Sequence, residues 1–212
     1  MSTPPVAEII RFPPKESYLE SPKETLKGFF EILASVDGFV SAHHGLQLEE
    51  SLDGEERGFI IILWETIEHH HALQKDTEKY PKLRAALRNA ADDRTMFHVF
   101  PEKDPSSGFP ANALEIAVLT LKEGHSREDI RVAMDDLTAQ KTPGLVGEPT
   151  WGLVHEEKDK VLMFVGWSSK EAHMNARNFA TEAIQGAIAK INEHVQGVDM
   201  KHTKLERYSP ST

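Results

Sequence analysis

Apolar and polar positions follow two rhythms along this chain. Residues 59–63 and 161–165 are continuous apolar runs, the pattern of central strands buried on both faces. Elsewhere the period lengthens. Leu26, Phe29, Phe30 and Leu33 form an i, i+3, i+4, i+7 stripe, and Ile130, Ala133, Met134 and Leu137 form another. Each stripe predicts an amphipathic helix. Ser21 with Pro22 and Glu24 has the form of a capping box opening the first helix, and Ser126 is placed to cap the second. Gly38 and Gly144 follow shortly after the stripes, where the chain must reverse. After Trp64 the pattern predicts a helix that breaks near Tyr80-Pro81 and resumes through Leu83 and Leu87. Asp53-Gly54 marks a hairpin in the first half, and 158–160 marks its shorter counterpart.

The two rhythms belong to one repeat. Glu8-Ile9-Ile10 returns as Glu115-Ile116-Ala117, Gly38-Phe39-Val40 as Gly144-Leu145-Val146, and Gly45-Leu46 as Gly152-Leu153. The apolar run ending at Trp64 returns as the run ending at Trp167. Beyond each tryptophan a Glu lies four residues on and a His six on: Glu68 and His70, then Glu171 and His173. Met96 and His98 match Met200 and His202. The offset falls from about 107 residues early in the repeat to about 103 at the tryptophans, and the shortening lies at the predicted hairpin tip, where a structural repeat tolerates it. Each half reads as strand, helix, strand, strand, helix, strand. The expected fold class is therefore α+β, with ferredoxin-like βαββαβ repeats over 1–100 and 111–208 and a Pro- and Gly-containing linker over 101–110. An antiparallel sheet with helices on one face leaves its other face uncovered. Two such sheets in one chain are expected to cover each other, giving an intramolecular pseudo-dimeric α+β barrel.

Composition narrows the functional classes. The 212 residues carry 24 Lys plus Arg against 34 Asp plus Glu, a net charge of -10, which repels phosphate backbones and anionic lipids. No nucleic-acid or membrane partner is expected. The absence of cysteine removes disulfide scaffolds, thiolate metal sites and a cysteine nucleophile. No apolar run is long enough to span a bilayer, and residues 1–10 lack a basic segment followed by an apolar one, so a cytoplasmic location is expected. No GxSxG, glycine-rich dinucleotide motif or phosphate loop supports hydrolase, nucleotide or phosphoryl-transfer chemistry.

The candidate chemistry lies in eleven histidines and three tryptophans. His43 and His44 are adjacent on a predicted strand, so one faces the helices and the other the barrel interior; Thr150 and Trp151 stand at the matching positions. A neutral histidine in a cleft is a general base, whereas a half-buried one bonded to a backbone carbonyl is only structural. His70 and His173 lie early in a helix, where the dipole disfavours imidazolium. His98 and His202 share a place on the last strands. Trp64, Trp151 and Trp167 offer an aromatic wall for a planar substrate, or core packing. Glu68 and Glu171 read as first-turn acids in helix caps. Consecutive helical residues point about 100° apart, so His69, His70 and His71 cannot reach one ion, and no metal site is expected.

The run into Trp64 followed by Glu68 and His70, with Gly38-Phe39-Val40 ahead of the second strand, resembles the dimeric α+β barrel superfamily. The nearest flavour is the antibiotic-biosynthesis-monooxygenase-like domain, here in tandem as in many fungal members. That superfamily includes cofactor-free monooxygenases, polyketide cyclases, isomerases, heme-binding enzymes and proteins of unknown role. The resemblance implies a small-molecule enzyme: a cofactor-independent monooxygenase, or a polyketide-type cyclase or isomerase, acting on an aromatic or enolisable substrate. His44, His43 or His70 would serve as general base, and Trp64, Trp151, Trp167, His98 and His173 would line the substrate site, with the first half as the working half. No cofactor is expected. The alternatives are a heme-binding barrel enzyme with a histidine axial ligand, and a non-catalytic stress-related or small-molecule-binding protein. A homodimer beyond the internal pseudo-dimer stays open.

Overall fold

A computed structural model describes residues 3–50 and 56–209. The predicted hairpin at Asp53-Gly54 lies outside the described residues. Contacts divide the chain into two units, Met1–His98 with Glu206–Thr212, and Val99–Leu205.

The first unit opens with β1 (Val6–Phe12), the short α1 (Glu16–Glu20) and α2 (Pro22–Ala34). Then come β2 (Phe39–Leu46), β3 (Gly58–Trp64), α3 (Ile67–Lys75), α4 (Lys79–Leu87) and β4 (Thr95–Pro101), whose last three residues belong to the second unit. The strand order is β4–β1–β3–β2, with β3 antiparallel to both β1 and β2. Every residue of β3 is buried, as its unbroken apolar run predicts. The buried stripe of α2 is Leu26, Phe29, Phe30 and Leu33. Its start differs from expectation. The Ser21 side chain makes no cap, and its N–H, which a capping box would offer to Glu24, is donated to the Ser17 carbonyl at the end of α1. The second helix also breaks earlier than Tyr80-Pro81. Asp76 Oδ1 accepts the N–H groups of Glu78 and Lys79 at 2.9 and 2.7 Å, which opens α4. Pro81 then falls in the first turn of α4, where its missing N–H leaves no bond unmade.

The second unit repeats the plan with β5 (Ala113–Leu121), α5 (Arg127–Ala139), β6 (Leu145–Val154), β7 (Lys160–Trp167), α6 (Lys170–Ala176), α7 (Glu182–His194) and β8 (Val195–Thr203). Its strand order is β8–β5–β7–β6, and Val99–Pro101 of β4 pair with β6. Here the cap forms: the Ser126 N–H donates to Asp129 Oδ2 at 2.7 Å. Residues 101–110, read as a linker, carry a 3-10 turn at Pro105–Gly108 and bury Pro105, Gly108 and Phe109. The last strand, β9 (Glu206–Arg207), pairs antiparallel with β2, setting Arg207 opposite His43 and Glu206 opposite His44. Sequence similarity assigned 206–208 to the second repeat; contacts assign them to the first unit.

The register of β6 shifts between Val146 and Thr150, and Gly147 there has φ +71°. A Cβ on Gly147 would lie 2.2 Å from the Ser107 carbonyl oxygen. Strain and clash act together, so Gly147→Ala is expected to lower stability by about 2–4 kcal/mol in urea unfolding. Gly186→Ala on α7, where a Cβ meets nothing within 4 Å, is expected to raise stability by about 0.5–1 kcal/mol.

Candidate functional site

The site grows from a carboxylate in an unfavourable place. Glu8 lies in the middle of β1 among buried apolar residues and is itself buried. A buried carboxylate needs donors. The register sets Glu8 opposite Ile62, so Trp64, two residues further along β3, shares its face. The Trp64 indole N–H donates to Glu8 Oε2 at 2.8 Å. Helix α3 begins three residues beyond Trp64 and buries Ile67, His70 and Leu73. This spacing lays the His70 ring against the Trp64 indole, with centroids 5.4 Å apart and planes at 14°. His70 Nε2 lies 3.8 Å from Glu8 Oε2. His98, from β4 beside β1, completes the group: its Nε2 is 2.6 Å from His70 Nδ1. One of those two nitrogens must carry the proton. When the His70 Nδ1–H donates to His98 Nε2, His70 Nε2 keeps its lone pair, and a proton taken up there faces the Glu8 carboxylate.

The second unit builds the same quartet. The Trp167 indole N–H donates to Glu115 Oε2 at 2.8 Å, Trp167 and His173 stack at 4.8 Å and 11°, and His173 Nδ1 lies 2.7 Å from His202 Nε2. One contact changes. Glu115 Oε2 approaches the same nitrogen, His173 Nδ1, at 3.4 Å. His173 is also more open, its side chain 20% exposed against 3% for His70. Burial pushes the Glu115 carboxyl up to about 7, against the lowering effect of the Trp167 hydrogen bond. In both units the Glu and two His each offer a donor atom, all within 4.8 Å of one another. The donor type suits a first-row transition ion.

The first quartet borders a hollow. A space of about 50 Å³ lies beside Glu8, Trp64 and His70, walled by Phe29, Leu33 and Ile62 and reaching the surface past Tyr80, Arg84, Arg94 and Met96. It holds a few waters or the reacting end of a larger molecule.

No protein-family model matches the sequence, and neither does any curated protein. Solved structures do match. Two proteins named putative monooxygenases are similar over nearly the whole length. The one from Fusobacterium nucleatum is 11% identical over 99% of this chain and 96% of its own, with TM-score 0.68; the one from Lactobacillus acidophilus is 12% identical over 98% and 97%, with TM-score 0.67. An anthrone oxidase-like protein is 16% identical over 98% and 94%, with TM-score 0.66. These likenesses show a shared fold.

The residues singled out from sequence fall in separate places. His70, Trp64 and His98 meet in one quartet, and His173, Trp167 and His202 in the other. His43 and His44 join neither. His44 Nδ1 lies 3.2 Å from the Tyr18 hydroxyl, and the ring packs against Tyr18 and Phe30 on the helix side of β2. Trp151 sits in the core under α5, its indole N–H donated to Asp135 Oδ1 at 2.8 Å and the Arg127 guanidinium over its ring. Glu68 and Glu171 are exposed first-turn acids, and Ser169 accepts the Ala172 N–H as a cap. The two buried glutamates were not among the sequence candidates. Their signal was an acid inside an otherwise apolar strand, at the same place in both halves. No helix among the described residues is long and apolar enough to cross a membrane.

Burial, then the Arg207 guanidinium and His44, push the His43 imidazole down to about 4. The unfolded chain protonates this group near 6.5, so its contribution to stability is complete above that pH and is lost as pH falls from 6.5 toward 4. By pH 4.5 the loss reaches about 2–3 kcal/mol. Urea midpoints at pH 7 and 4.5 should therefore differ less in His43→Thr, which carries the residue of the matching position, than in the parent.

Proposed function

We propose that the first unit is a small-molecule enzyme of monooxygenase type, which removes a proton from an enolisable or phenolic substrate without a bound cofactor. The observation that carries this reading is the buried Glu8–His70–His98 chain at the polar end of a cavity. His70 is the base. Its Nδ1 is held by His98, so proton transfer runs through Nε2, and the imidazolium that forms faces the Glu8 carboxylate. Trp64 fixes both partners, by hydrogen bond to one and by stacking on the other. Of the three histidines first considered as bases, only His70 borders the cavity.

The substrate anion needs a counter-charge. Arg84 and Arg94 at the mouth supply it in a chain that is otherwise acidic. Loss of the proton leaves an electron-rich carbanion or phenolate, which takes up dioxygen as co-substrate; a CH2 group becomes a carbonyl with one oxygen atom, the other leaves as water, and the substrate supplies all four electrons. The monooxygenase and oxidase names of the fold neighbours favour this branch over internal cyclisation. A cavity of about 50 Å³ receives the reacting end of such a molecule while its remainder lies toward Tyr80 and Met96. The same volume argues for the cofactor-free reading over heme, since a porphyrin needs several hundred Å³ of enclosed space. The charge and the apolar-run lengths support a cytoplasmic enzyme without nucleic-acid or membrane partner.

Anthrone and a set of 1,3-diketones are the probes, with oxygen uptake and C–H to C–D exchange in D2O as separate readouts. The parent should accelerate exchange, and His70→Ala should lose about 100-fold or more of that rate. Glu8→Gln, which keeps an acceptor for Trp64, should lose about tenfold or more through the missing charge. His44→Ala should exchange at the parent rate. A parent that accelerates neither exchange nor uptake, or a His70→Ala variant as fast as the parent, would sink the proposal.

A further inference from the structure

We propose that Glu115, His173 and His202 form a binding site for a divalent first-row transition metal in the second unit, separate from the base chemistry of the first. The two quartets share their residue types but not their geometry. In the first, Glu8 and His98 approach opposite nitrogens of His70, so the donors line up as a relay through the ring. In the second, Glu115 Oε2 and His202 Nε2 converge on one nitrogen, His173 Nδ1, at 3.4 and 2.7 Å. The three donor atoms, one from each residue, lie within 4.8 Å of one another.

The spacing fits an ion. Bonds of about 2.0–2.2 Å in a tetrahedral site set donor atoms roughly 3.3 Å apart. The Glu–His separation already has that value, and the His–His pair must open by roughly 0.6 Å, within reach of small side-chain rotations. Two imidazoles and one carboxylate are the ligand set that leaves a fourth position for water. Here the partly exposed His173 gives solvent a way to that position. The ligands are also oriented from behind. The Trp167 indole N–H holds Glu115 Oε2, and its ring fixes the plane of His173. The ligands come from β5, α6 and β8, so the ion would tie the helix after β7 to the two strands at the sheet edge.

The test uses untagged full-length protein, stripped with chelator and titrated with Co²⁺ and then Zn²⁺. The exposed His125–His194 pair, with its Nδ1 atoms 2.8 Å apart, is replaced by alanines in every protein so that surface binding is not counted. The expected result is one Co²⁺ per chain with the visible bands of a four-coordinate ion, displaced by Zn²⁺. Affinity should fall about 100-fold in His202→Ala and in Glu115→Gln. His202→Cys should retain Co²⁺ and add a thiolate charge-transfer band, a signature that a merely structural role for His202 does not produce. Thermal melts confirm that each variant is folded, and His202→Cys decides the matter if the alanine variant is not. The proposal is overturned if the parent binds no Co²⁺, if Co²⁺ is held equally by the His202 and Glu115 variants, or if the ion is lost on His70→Ala instead.

Discussion

Burying a carboxylate in an apolar strand is the constraint around which each unit is arranged. The effective cost of taking such a group out of water is several kcal/mol unless donors replace the water. Glu8 and Glu115 meet this demand with residues the fold can deliver only from particular places. An indole N–H must come from the same sheet face two residues along the neighbouring strand. An imidazole must come from the first turns of the helix that follows, and another from the strand on the other side. Strand pairing, helix start and ring stacking therefore fix one another. Slipping β3 by one residue against β1 would turn Trp64 to the opposite face and leave the carboxylate without its donor.

Much of this was legible in the sequence because the repeat reports it twice. The matches at Glu8 and Glu115, Trp64 and Trp167, His70 and His173, and His98 and His202 include every member of both quartets. The elements were legible too, since an unbroken apolar run such as that of β3 admits few other readings. What one-dimensional reasoning missed was convergence. His43 and His44 drew attention because they are adjacent, yet adjacency on a strand separates side chains. The acids that mattered lay about 60 and 90 residues from their histidine partners, in a run whose apolar character hid them. Trp151 was weighed as a substrate platform because it matches His44, but the helix over β6 buries its ring and supplies Asp135 for its N–H. The early break between α3 and α4 turned on Asp76, whose side chain closes a turn that proline alone did not mark.

The two quartets illustrate how little is needed to separate two copies of one arrangement. Donor identities and the indole bond are the same, and the stacking angles differ by only a few degrees. What differs is which imidazole nitrogen meets the carboxylate, and how open the ring is to solvent. A histidine gripped at both nitrogens passes a proton along its length, while one approached twice at the same nitrogen gathers charge at a point. After duplication, a modest reorientation of one ring gives the two halves distinct chemical prospects without altering the scaffold.

Strand β9 gives the first unit an unusual dependence on synthesis order. The β2 edge is covered by residues made more than 150 positions later, and Tyr208 from the same segment stacks on Phe30 of α2 while its N–H is donated to the Ala42 carbonyl. As the chain leaves the ribosome, the half made first keeps an open strand edge until the segment carrying 206–208 has emerged. An open edge invites pairing with other chains. The nascent protein therefore passes through a window of exposure whose length is set by translation of its second half, and in which the element needed to end it has yet to appear.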